Sequence, residues 1–133
     1  MTQTAQPVDW NKRKAEWEQK LAELAANVTA WSQSRGWAVQ RIDNTVSEDP
    51  VGKYAAPTLH IHTGAGPLVL EPIARNIVAG EGRVDVYALR TFRRLLLIGK
   101  GRGWQVFTED RVPWPEPWSE TAFIKIAESL TAS

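Results

Sequence analysis

The sequence contains no cysteine, two histidines and a single methionine, Met1. Without thiols there is no disulfide framework, no thiolate zinc site and no cysteine nucleophile, and the soft ligands shrink to His60, His62 and Met1. Long apolar runs are missing too. The longest, Leu95–Ile98 among them, fall far short of the roughly 20 residues that cross a bilayer, and the polar start Met1–Asp9 lacks the apolar stretch of a secretion signal. The expectation is a cytoplasmic protein with no membrane partner and no cofactor. Charge of one sign is also scarce: 16 Lys and Arg oppose 15 Asp and Glu, a net charge of +1. No whole-molecule field draws this chain to nucleic acid or anionic lipid, so any electrostatic function has to be local.

What is present is one ordinary core. A chain of 133 residues that is 43% hydrophobic can bury enough surface to fold without metal or disulfide support. Residues 1–8 lack periodicity and read as a flexible tail, followed by a single domain over 9–133, since neither an internal repeat nor a long linker divides the chain. Asp9 stands at a helix N-cap position. From Trp10 onward Trp17, Leu21, Leu24, Val28 and Trp31 recur at spacings of four and three, which predicts an amphipathic helix that ends where Gly36 supplies a left-handed turn. With only about two heptads, this seam is expected on the protein's own sheet, with a helix-mediated homodimer as the alternative.

After Gly36 the period drops to two. Strand-like runs at Trp37–Val46, Thr58–His62, Leu68–Arg75, Val84–Arg90, Arg93–Ile98 and Trp104–Thr108 are divided by Gly, Pro, Asn and Asp, the pattern of an antiparallel sheet. Pro57 and Pro72 argue for an edge or a bulge. The segment Val112–Trp118, with three prolines, cannot be helical and should run extended. Ser119 then caps a last helix with an apolar stripe of Phe123, Ile126, Ala127 and Leu130. The expected fold is α+β: a long N-terminal helix packed on an antiparallel sheet of about six strands, closed by a short C-terminal helix.

Three groups of residues could carry chemistry. His60 and His62 share one strand face, and a turn over Thr63–Gly66 would set His62 opposite Pro67 and His60 opposite Val69, with Glu71 on the same face. That is a candidate ligand set for a divalent metal, dependent on hairpin register. A second group is basic. Between positions 83 and 111, Arg83, Arg90, Arg93, Arg94, Lys100, Arg102 and Arg111 oppose Asp85, Glu109 and Asp110, a balance of +4. Arginine on a ribbon with a glycine-rich tip suits phosphate, and Tyr87, Phe92, Trp104 and Phe107 supply stacking surfaces. The third is aromatic: seven tryptophans sit mostly at junctions between elements. Trp118 occupies the hydrophobic-staple position before Ser119 and is expected on Phe123, whereas Trp114, flanked by prolines, is the better candidate for contact with a partner.

The stretch Gly82–Tyr87, followed by Leu95–Ile98 and Lys100, superficially resembles the metal-dependent PD-(D/E)xK nucleases, which set an Asp on one strand and a Glu-x-Lys on the next. Here Ile98 stands at the Glu position, so the second metal carboxylate is missing and membership does not follow. Glycine-rich nucleotide fingerprints and a Gly-x-Ser-x-Gly elbow are absent as well. The function expected from the sequence is a small non-catalytic domain that binds another protein through Trp114 or the sheet. The alternative is nucleic-acid binding through Arg93, Arg94, Lys100 and Arg102, and a metal-dependent hydrolase comes third.

Overall fold

The computed structural model describes residues 7–132, so most of the tail expected over 1–8 lies outside the described residues. Helix α1 (Trp10–Ser34) is followed by strands β1 (Ala38–Glu48), β2 (Gly52–Thr63), β3 (Gly66–Ala74), β4 (Arg83–Ala88), β5 (Arg94–Lys100) and β6 (Gly103–Thr108), and by helix α2 (Glu120–Thr131). The strands form one antiparallel meander in sequence order. The fold is α+β, with the order of elements that hydrophobic periodicity predicts.

Local chemistry starts and stops the helices. The Asp9 carboxylate accepts a 3.0 Å bond from the Lys12 amide, satisfying one of the orphan donors of the first turn. At the far end Gly36 takes φ +77°. The Trp37 amide donates to Ser32 O and the Gly36 amide to Gln33 O, the paired bonds of a Schellman closure. Ser119 caps α2 by accepting from the Ala122 amide at 3.1 Å.

Register places the core on one side of the sheet. Leu59, Leu70, Val86 and Leu95 stand in one row across β2–β5, and Val84, Leu97 and Val106 in another. They cluster with Trp17, Leu21, Leu24 and Val28 of α1 and with Phe123, Ile126, Ala127 and Leu130 of α2. Both helices therefore cover the same sheet face. Removing this apolar area from water, at roughly 25 cal/mol per Å2, is the main force holding the two layers together.

Strand β2 differs from the sequence expectation, starting at Gly52 instead of Thr58. Its buried positions are Tyr54 and Ala56 at first but Leu59 and Ile61 later, so the strand presents its other side to the core across Pro57–Thr58. This break in alternation hides the first half of the strand from a period-two reading. Proline is tolerated there for a definite reason. The Ala55 amide points away from β1, donating to Glu18 Oε2 at 3.0 Å. By period two the missing N–H of Pro57 faces the same way, where β3, which pairs only from Leu59 onward, does not reach.

Candidate functional site

The basic residues that lie close in sequence are dispersed in space. Arg93 and Arg94 are neighbours at the start of a strand, and their side chains leave on opposite sides. Arg93 reaches the end of α2, where Nη1 donates to Ser129 O at 3.2 Å and the adjacent Thr91 hydroxyl donates to Leu130 O at 2.6 Å. The last turn of α2 has no basic residue of its own, so Arg93 supplies the positive charge that the helix C-terminus favours.

Arg94 lies on the sheet face away from the helices. There Asp85, fully buried, is held by the guanidinium fork of Arg83 at 2.7 and 2.9 Å and by Arg94 Nη1. Arg94 also stands 4.8 Å from the Tyr87 ring centroid and 3.7 Å from Glu109 Oε1. The hydrogen bond to Asp85 raises the Arg83 pKa above its ordinary value, and burial, with Glu71 nearby, raises that of Tyr87. These arginines neutralise a buried carboxylate before they can meet any phosphate. Lys100 and Arg102 remain exposed at the β5–β6 turn. Beside them a groove of about 740 Å3 opens against α1, lined by Glu16, Glu23 and Glu81 as well as Lys20, Arg75 and Arg102. Its charges balance. Burial lowers the Lys20 pKa against the pull of Glu81, and the Lys20 ammonium is already bonded to Gly101 O at 2.8 Å.

The hairpin register at the histidines is the one that the Thr63–Gly66 turn predicts: His62 pairs with Pro67 and His60 with Val69. Glu71, two residues beyond Val69, shares the histidine face as that register requires, and lies opposite Asp85 on β4. Among the described residues no three His, Asp or Glu side chains are placed to hold a metal ion.

The Pro/Trp segment has a structural task. Trp114 is half-buried against the core, with Nε1 buried and unpartnered, whereas the sequence suggests an exposed contact residue. Its amide donates to Val106 O at 2.9 Å, the Thr108 amide donates to Val112 O at 2.8 Å, and Pro113 bridges to Phe107. The segment thus lies along the second half of β6 and covers its outer edge at Val106–Thr108. Trp118 packs on Trp31 and Phe123, with ring centroids 5.6 and 5.9 Å away, as the staple position predicts.

The opposite edge is open. Strand β1 spans Ala38–Glu48 with most of its residues exposed, and among the described residues no strand or bridge pairs with its outer side. It contains no proline, and Ile42 is 38% exposed. Since Ala55 points its amide away from β1 and pairs with Thr45, the odd-numbered residues of β1 turn their own amides and carbonyls outward. Arg41, Asp43 and Thr45 thus present a row of unpaired backbone groups. Sequence reasoning missed this site. The sequence shows only a long strand-like run without proline directly after a helix, which does not say whether the strand is an edge.

Fold and site together define an α+β domain built on a six-stranded meander, with helices on one face, one edge partly covered by the proline segment and, among the described residues, one edge without a partner. No protein family, curated protein or solved structure matches the chain. None of the described helices is long and apolar enough to cross a membrane.

Proposed function

We propose that this chain is a protein-interaction domain that takes up an extended strand along β1. The observation that carries this reading is the difference between the two ends of the sheet: β6 is covered over Val106–Thr108 by the chain's own proline segment, while among the described residues nothing pairs with the outer side of β1. Main-chain bonds to such an edge give affinity, and the alternating side chains give selectivity. Nucleic-acid binding by the basic hairpin draws less support, because Arg83, Arg93 and Arg94 are committed to internal partners.

The test uses Thr45→Pro, which removes an outward N–H while leaving the β2 side of the ladder intact. Affinity capture under nuclease treatment is run in parallel with both proteins, followed by amide exchange on the captured complex. A partner lost with Thr45→Pro that protects the Arg41, Asp43 and Thr45 amides supports the proposal. Capture indifferent to the substitution, or protection centred on Lys100 and Arg102, overturns it.

A further inference from the structure

The partner that fits the β1 edge best is a second copy of the same edge. We infer that two chains pair β1 against β1, antiparallel, about a two-fold axis through Ile42. This rests on the strand-addition reading above and goes beyond it by naming occupant and register. An isologous contact of this kind needs a surface complementary to itself, and β1 has one. Centred on Ile42, the register sets Arg41 of each chain opposite Asp43 of the other, Gln40 opposite Asn44 and Val39 opposite Thr45. Moving the axis by one residue sets Arg41 against Arg41, or Asp43 against Asp43, which like-charge repulsion disfavours. No other residue-centred register pairs opposite charges.

Backbone direction agrees with this register. The outward-facing residues of β1 are the odd-numbered ones, as the Ala55 amide bonded to Glu18 shows. Pairing Arg41 with Asp43 and Val39 with Thr45 joins odd to odd, so each pair can exchange both of its bonds. Ile42 then falls in a closely spaced non-bonded pair on the axis, where its exposed side chain meets its own copy. Within one chain Arg41 Nε already lies 2.7 Å from Asp43 Oδ1, with both side chains well exposed. The two charges can therefore re-pair across the axis without first being uncovered.

The experiment exploits the charge pattern. Sedimentation velocity of the full chain at low ionic strength, up to about 1 mM protein, is compared for wild type, Arg41→Asp, Asp43→Arg and an equimolar mixture of the two variants. Wild type is expected to dimerise. Each variant alone sets like charges opposite at both symmetric positions, so its dimer should weaken by about tenfold or more. In the mixture every Arg41 again faces an acid and every Asp43 a base, so dimers should return, which also shows that both variants fold. A wild-type dimer unaffected by either substitution, or a mixture that stays monomeric, overturns the proposed register. A wild type monomeric throughout overturns self-pairing. Strand addition itself then stands or falls by protection of the odd-numbered β1 amides in a complex with a different protein.

Discussion

Trp118 and Phe123 meet edge to face, with ring centroids 5.9 Å apart, on either side of the Ser119 cap. This is the contact that fixes the direction from which the chain enters a helix, and Trp31 and Trp37 extend it by packing on Trp118 and Phe123 from the end of α1. Trp118→Ala should therefore cost about 2–3 kcal/mol, below the roughly 3–5 kcal/mol for deleting a fully buried large aromatic, because the ring is only half-buried. Trp114→Ala, with no aromatic neighbour of this kind, should cost less. Urea melts of the two variants check the order, and a larger loss at Trp114 would contradict it.

Asp85 is the second test. Replacing it with Asn leaves two arginines without their anion on a face that no helix covers, but both guanidinium groups are partly exposed and can rehydrate. The expected cost is about 2 kcal/mol, below that of orphaning a fully buried charge. Arg83→Met should be milder, since Arg94 still neutralises the carboxylate. Chemical denaturation of both variants decides, and an Arg83→Met loss equal to that of Asp85→Asn would show that the fork, and not the buried carboxylate, dominates.

Alkaline pH provides the third. Burial, aided by a hydrogen bond to Glu48 at 2.9 Å, pushes the Tyr54 hydroxyl up to about 12. A proton held more tightly in the folded than in the unfolded chain contributes stability that is complete below the unfolded value, near 10, and is lost as pH rises toward 12. Stability curves from pH 8 to 11 should fall more steeply for wild type than for Tyr54→Phe. The comparison isolates Tyr54, because Lys20, whose pKa is lowered, contributes in the opposite direction in both proteins. Parallel curves would refute the assignment.

The features legible in advance were those decided locally. Asp9, Gly36 and Ser119 announce helix boundaries because a cap is a contact within a few residues, and the His60 register follows from the short turn beside it. What stayed hidden depends on distant partners. The Glu48 carboxylate bonds the Arg75 and Asn76 amides, tying the end of the first hairpin to the loop after β3, and no spacing rule reports such a contact. Arg93 and Arg94 illustrate a signal that was present: strand geometry sends adjacent residues to opposite faces, so the basic run could not form one patch. The outward row on β1 was illegible for another reason, since whether an edge is free depends on where every other segment goes.

With the proline segment bonded across Val106–Thr108 of β6, the pairing proposed above gives the molecule a valence of one. A unit with a single joining end can terminate an assembly but never lengthen it, so the proposed pairing through β1 would stop at two chains and not propagate as a fibre. Detaching Val112–Trp118 from β6 would raise the valence to two, and the same sheet would become a link able to polymerise. On the proposed pairing, the size of the assembly would thus be set by a short stretch far in sequence from the strand that joins the two chains.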